Sequence, residues 1–306
     1  MVQVPFATTN ISKTLLWAKT AIESIGLESI HSIQIKNEPN AYSDTVAGTD
    51  DVYLGPPAWQ GTFTNETYVP NFTRYAIAIR AELNLPTYFF TAFNIGQEVS
   101  DPSESAWLFD VETIFHLGID NNSTSMQEVT HHYYQNNAGT AADLATGLMN
   151  ITTTHANLDY FRDHINYLKI NHPSIPYVLN EIGNSFDSTN SYAYQARLGS
   201  ALWAVDLYLY ALSIGVSRFN YQQTMHAGFN LWLPVPSGDL QAQVFANYYS
   251  QPFLADFIGD SGQTMVAKVN IDGSSSGPSG DAYLAAYVAF DQEVAKRGDC
   301  EFGLLE

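Results

Sequence analysis

The 306-residue chain allows for about two domains, or one large α/β unit, at ~150 residues each. Hydrophobic residues make up 45% and charged residues 14%, a balance that excludes intrinsic disorder. Twelve Lys+Arg against 31 Asp+Glu give a formal charge of −19, which excludes nucleic acid and anionic membrane surfaces as expected partners.

In chain order, residues 2–7 read as a strand, and residues 12–24 as a helix with Leu15, Leu16, Ala18 and Ile22 on one face. A second strand covers 30–35, and the Gly/Pro/Thr/Asn-rich stretch 43–70 reads as loop. A helix over 72–83 leads to a strand over 87–93, and a helix over 106–116 to a strand over 128–134. A helix over 156–169, a strand over 177–180, a long helix over 192–213 and a strand over 218–222 complete the series. Such alternation predicts a parallel sheet built from βα units. From residue 247 the pattern changes. Alternating apolar residues over 265–271 and 282–289 flank the Gly/Ser stretch 273–280, as in an antiparallel hairpin of another module.

The lone Cys300 excludes an intramolecular disulfide framework and a CxxC metal knuckle. The apolar run 202–216 is broken by Asp206, so no membrane span is expected. Residues 1–20 lack the basic and apolar regions of a secretory signal. Yet Asn10, Asn65, Asn71, Asn121, Asn122 and Asn150 head six N-x-S/T sequons, where about three would arise by chance. A secretory route for a longer parent chain reconciles the two.

Two strand ends carry candidate chemistry. Residues 33–40 form an apolar strand closing in Asn37-Glu38-Pro39-Asn40, and residues 177–185 form another carrying Glu181 before Gly183. Catalytic residues of (β/α)8 barrels sit at the C-terminal ends of strands, and Pro39 forbids the strand to continue. Two carboxylates converging there are what glycoside hydrolysis requires; the alternative is two unrelated surface acids. The segment Val129-Thr-His131-His132-Tyr133-Tyr134 puts His131 and Tyr133 on one strand face, His132 and Tyr134 on the other. A His/Tyr pair turned to the mouth suits the nucleophile and a sugar hydroxyl, with core packing as the alternative. No third ligand at suitable spacing accompanies the histidines, so no metal is expected. Aromatic and amide groups near Tyr221 and Trp232 suit a sugar surface or an ordinary core. Neither a Gly-rich phosphate loop nor a G-x-S-x-G motif occurs, so no cofactor is expected.

Taken together, these motifs resemble family 79 of the glycoside hydrolases, the β-glucuronidase and heparanase family, over most of residues 1–290. The resemblance rests on Asn37-Glu38-Pro39-Asn40, the VTHHYY segment at 129–134, the Glu181 strand and the Tyr221 to Trp232-Leu-Pro region. The stretch Tyr248-Tyr249 to Phe253 and Phe257-Ile258-Gly259 resembles the entry into that family's appended sandwich. It implies an α/β fold: an incomplete (β/α)8 TIM barrel (strands three to eight) over residues 1–246, then the start of a β-sandwich over 247–306. The first two βα units and the end of the sandwich would lie outside this chain. By resemblance Glu38 is the acid/base and Glu181 the nucleophile of a retaining mechanism. Asn37 would hold the sugar 2-hydroxyl, Tyr133 would orient Glu181, and Tyr221 would approach a uronate carboxylate beside Gly183–Ser185. His131, Asn184 and Ser185 complete the implied substrate-binding set. Phe186 stands where bacterial-type relatives carry Tyr. The scarcity of basic residues disfavours a sulfated polymer and favours exo-cleavage of glucuronic acid units. The expected partner is thus a carbohydrate, with no obligate protein partner evident. The alternatives are an inactive remnant that binds carbohydrate, and another retaining glycosidase of the same barrel clan.

Overall fold

The computed structural model describes residues 1–6, 10–35, 37–41, 64–96, 109–122, 124–136, 144–185, 196–223, 230–236, 240–269 and 284–291. Its main sheet runs in chain order through β1 (Val2–Val4), β2 (Ile33–Ile35), β3 (Phe90–Ile95), β4 (Met126–Asn136), β5 (Tyr177–Ser185) and β6 (Arg218–Tyr221). Val2 pairs with Ile33, Ile33 with Phe90 and Phe90 with Met126, all in parallel. Parallel strands in sequence order, each followed by helix, are the winding of a (β/α)8 barrel. The fold is a partial (β/α)8 barrel: the parallel sheet is the one the alternation predicts, and the barrel the one the resemblance implies. Two compact units divide the chain, one of residues 1–133 with 163–181, the other of 134–162 with 182–306.

In the first unit, α1 (Ile11–Ile25) is capped by Asn10, whose side chain accepts from the Lys13 amide, and ends at Gly26 with φ 80°. Its buried positions are Thr14 and Ala18, four residues apart on one face. Leu16, expected on that face, is 62% exposed. Small residues lie where the helix is covered, and the longer apolar side chains flank them.

Helix α2 (Asn65–Leu83) starts within the stretch whose composition reads as loop, and it contains Pro70. A proline inside a helix removes a backbone hydrogen bond and costs about 3 kcal/mol. Burial outweighs that cost: Tyr68, Val69, Phe72, Tyr75, Ala76 and Ile79 recur at helical spacing and are all buried. Their rings form an aromatic core with edge contacts between Tyr68 and Phe72, Tyr68 and Phe109, and Phe93 and Phe109. Helix α3 (Val111–His116) is capped by Asp110, and α5 (Arg162–Asn171) buries Ile165 and Leu168.

Strand β3, Phe-Thr-Ala-Phe-Asn-Ile, is buried at every position, as a sheet covered on both faces requires. It is not regular. Phe93 pairs with Thr130 and Ile95 with His131, so Asn94 is an extra residue bulged out of the ladder. Phe93 (φ 81°) and Asn94 (φ 49°) both take the left-handed conformation, which Asn tolerates and Phe resists. The Phe93 amide donates to the buried Tyr68 hydroxyl at 2.8 Å, a hydrogen bond from outside the strand.

In the second unit α4 (Ile151–Asp159) is capped by Asn150. Helix α6 (Leu198–Ile214) is buried on nearly every side and stops at Gly215, φ 109°. It packs against α4, α7 (Ser250–Ile258) and β9 (Thr264–Val269). Strands β7 (Trp232–Leu233) and β8 (Gln243–Val244) form a short antiparallel pair. The expected hairpin is present, with β9 antiparallel to β10 (Ala286–Asp291) in the register Ala286 to Val269. The Tyr287 hydroxyl donates to Asp206, and Lys268 Nζ donates to His155 Nδ1 at 2.9 Å. The hairpin is thereby tied to α4 and α6.

Replacing Tyr68 by Phe leaves the Phe93 amide without that acceptor, at an expected cost of about 1–3 kcal/mol. Urea denaturation measures it; an unchanged midpoint would show that the bulge does not depend on the hydroxyl.

Candidate active site

The first unit brings together residues from four successive strands, with His132 and Glu181 inside β4 and β5. After Ile35 the chain turns through Asn37 and Glu38, and Pro39 opens a single 3-10 turn, Pro39–Ala41. Glu38 sits at φ 41°, a strained value for a residue with a Cβ. Its amide donates to the Asn94 carbonyl at 3.1 Å, so the bulge on β3 holds the strained turn after β2. Next along the sheet, β4 supplies His132 and β5 supplies Asn180 and Glu181.

His132 joins the carboxylates. Its Nδ1 lies 2.7 Å from Glu38 Oε1 and 3.5 Å from Glu181 Oε2, and its Nε2 lies 2.8 Å from Asn94 Oδ1. An amide oxygen only accepts, so Nε2 carries a hydrogen and Nδ1 faces the two acids. The imidazole side chain is 1% exposed, while those of Glu38 and Glu181 are 19% and 22% exposed. Burial acts to lower the His132 pKa. The hydrogen bond to Glu38 and the charges of Glu181 and Glu38 outweigh it, and the net shift is upward from 6.5. The two carboxyls thus favour the protonated ring.

Amides fix this arrangement from behind. Asn180 Nδ2 donates to Asn94 Oδ1 at 2.8 Å and to Gln34 Oε1 at 2.9 Å, and Asn94 Nδ2 donates to Asn37 Oδ1 at 3.3 Å. Asn94, only 1% exposed, therefore connects side chains from β4, β5 and the Glu38 turn, and Asn180 extends the network to Gln34 on β2. Among the described residues Glu38, His132 and Glu181 also offer one metal-ligating atom each, all within 4.8 Å of one another. A cation held there would need the His132 Nδ1 lone pair free, hence a neutral ring. Protonation of the ring and a cation at Nδ1 therefore exclude one another.

The resemblance puts His131 and Tyr133 in the substrate-binding set, with core packing as the alternative, and the structure buries both. His131 is 3% exposed and stacks on His164 at 5.3 Å, with Phe93 edge-on at 4.5 Å. Burial, then the neighbouring His164 and His132, hold its pKa well below 6.5. The neutral ring shares a hydrogen bond between its Nδ1 and the Tyr177 hydroxyl. Tyr133 is fully buried. The strand alternates as expected, but it is the His132 face that meets the acids. A signal was available: Val129, His131 and Tyr133 share one face and the polar Glu128, Thr130 and His132 share the other. Buried Glu128 continues the polar face, accepting from Thr91 Oγ1 at 2.9 Å and Ser32 Oγ at 3.3 Å.

Asn184, Ser185 and Tyr221 belong to the second unit. Asn184 is fully buried and donates to Ser200 Oγ on α6 at 2.6 Å; Ser185 is equally buried. The Tyr221 hydroxyl accepts from Asn247 Nδ2 at 2.8 Å. Tyr134 packs so closely on Gly183 that an added Cβ would lie 2.8 Å from its ring. Trp232 is 40% exposed and meets Tyr248 edge-on at 6.2 Å. Phe186 lies outside the described residues.

Histidine NMR should show His132 titrating above 6.5, with Glu38→Gln and Glu181→Gln each moving it down. Because the folded value is raised, this group stabilises the fold below about pH 6.5, and that contribution fades as pH rises through the folded pKa. A titration unmoved by either substitution would break the assignment.

No family model matches the chain. Its sequence is similar to a β-glucuronidase from Neurospora crassa, 25% identical over 292 residues that make up 88% of this chain and 48% of that protein. The chain thus spans about half the length of the curated relative it matches. Its fold is similar to that of the α-L-arabinofuranosidase from Thermotoga maritima, with TM-score 0.53, 11% identity, and 87% of this chain and 52% of that one covered. It is also similar to that of a monomeric β-xylosidase from Caulobacter crescentus CB15, with TM-score 0.50, 14% identity, and coverage of 87% and 51%. At such identities the structural likeness concerns the partial barrel alone.

Proposed function

We propose that this chain carries the catalytic acids of a retaining glycoside hydrolase that removes β-linked glucuronic acid units from the ends of glycans or small glucuronides. The observation that carries the proposal is the convergence of Glu38 and Glu181 on one imidazole, with oxygens of both carboxyls within 4.8 Å. So short a span suits the retaining geometry, about 5–5.5 Å between carboxyls, and leaves little room for the water of an inverting enzyme. In this mechanism Glu38 protonates the glycosidic oxygen while Glu181 attacks the anomeric carbon, which forms a covalent glycosyl-enzyme. Glu38, now ionised, then takes a proton from water as it attacks the same carbon and releases Glu181. His132 would serve both steps. Its positive charge stabilises whichever acid is ionised, and its hydrogen bond to Asn94 keeps the ring aimed at both.

Substrate choice rests on two supports: the sequence similarity to a β-glucuronidase, and a −19 charge that disfavours a sulfated polyanion. The test is hydrolysis of an aryl β-D-glucuronide beside the matching xyloside and arabinofuranoside. The glucuronide is expected to be cleaved with retention, and Glu38→Gln or Glu181→Gln should each lower kcat/KM by at least about 100-fold. Turnover unaffected by Glu181→Gln would sink the mechanism, and preference for a neutral pentoside would sink the substrate.

A further inference from the structure

The turn that carries Glu38 is held by a second device, on residues with no assigned part in the chemistry. Asn40, two residues past Glu38, grips the backbone of Gly96 with both ends of its amide. Its Nδ2 donates to the Gly96 carbonyl at 2.6 Å, and its Oδ1 accepts from the Gly96 amide at 3.0 Å. Gly96 follows β3 directly, so this paired contact fastens the end of β3 to the turn after β2. The Glu38 side chain passes through the space beside it. A Cβ built on Gly96 would lie 2.6 Å from both Glu38 Cδ and Oε1, and 2.8 Å from Cγ. Real Cβ atoms do not approach so closely, and the obstructed atoms belong to the carboxyl itself. Two constraints therefore act on one group. The backbone of Glu38 is set at φ 41° by the Asn94 carbonyl and the Asn40 clamp, and its carboxyl runs in a lane that only glycine leaves open.

We infer that Asn40 and Gly96 are positioning residues for the Glu38 carboxyl, holding it against His132 Nδ1 and aimed where a leaving-group oxygen would sit. The inference about aim rests on the glycosidase proposal above; the inference about the His132 contact does not. Neither residue touches the reacting atoms, and both act through Glu38.

The experiment uses Gly96→Ala and the milder Asn40→Asp, which keeps the acceptor and loses the donor, with circular dichroism and thermal unfolding to establish folding. The first measurement is NMR titration of His132, which is independent of turnover. Displacing Glu38 should move the His132 midpoint downward in Gly96→Ala, toward the value in Glu38→Gln, and part of the way in Asn40→Asp. The second is kcat/KM for a dinitrophenyl glycoside, whose leaving group needs no protonation, against a phenyl glycoside, whose leaving group does. A misplaced general acid should leave the first within a few-fold and cut the second by at least about 100-fold. A general structural defect would lower both alike. If folded Gly96→Ala and Asn40→Asp keep both the His132 midpoint and the leaving-group ratio of the parent chain, the positioning role is overturned. If the parent chain cleaves no glycoside, the glycosidase proposal fails, and the His132 titration alone still decides whether the clamp places Glu38.

Discussion

The hydrogen bond from His132 Nε2 to Asn94 Oδ1 is the constraint on which the rest of the site depends. An amide oxygen cannot donate, so this contact decides which ring nitrogen is left for the acids, and everything charged in the mouth is arranged around that choice. A buried imidazolium would be costly alone. Here two carboxylates from different strands meet it at Nδ1, and their charge outweighs the desolvation. The neighbouring histidine shows the contrary outcome one residue away. With aromatic rings and a second imidazole around it instead of acids, His131 stays neutral. One strand thus carries two adjacent histidines on opposite faces of the pleat, with pKa values shifted in opposite directions.

Asn94 can play its part because β3 is irregular. The extra residue turns its side chain toward His132 and its carbonyl toward the Glu38 amide, and that irregularity rests on α2 through the Tyr68 hydroxyl. The chain of dependence runs from an aromatic helix, through a strained strand end, to the acid that would meet substrate. Strain at Phe93, Asn94 and Glu38 is concentrated within a few residues of the candidate chemistry, and hydrogen bonds from outside each strained segment sustain it.

Much of this was legible in the sequence. The βα alternation predicted the parallel sheet and the resemblance implied the partial barrel, while Glu181, expected at a strand end, lies inside β5, which runs on to Ser185. Helix α2 was partly hidden, since Pro70 and the polar residues before it look like a loop until the burial of Tyr68 and Val69 is known. His132 was missed for a different reason. Alternation defines two faces without naming the inner one, and only the polar company of Glu128 and Thr130 breaks the tie. Asn94 and Gly96 carried no local signal, and Asn40 stood in the Asn37-Glu38-Pro39-Asn40 motif without a role, because their parts arise from a bulge and from a contact between two strands. Some polar signals also had a second meaning: Asn10 and Asn150, which head sequons, cap α1 and α4, and Asn65 is buried with its Oδ1 accepting from the Asp110 amide.

The bulge at Asn94 has a consequence for how this site can be changed. Asn94 is the one residue between Phe93 and Ile95, and it gives the site two contacts, its side chain to the His132 ring and its carbonyl to the Glu38 amide. Deleting it would remove that bulge and set Phe93 and Ile95 side by side against Thr130 and His131. His132 would lose the acceptor that orients it, and the strained Glu38 turn would lose the carbonyl that holds it. Substitution of the side chain spares the carbonyl and weakens the site by degrees. A one-residue change of length here would remove both contacts together.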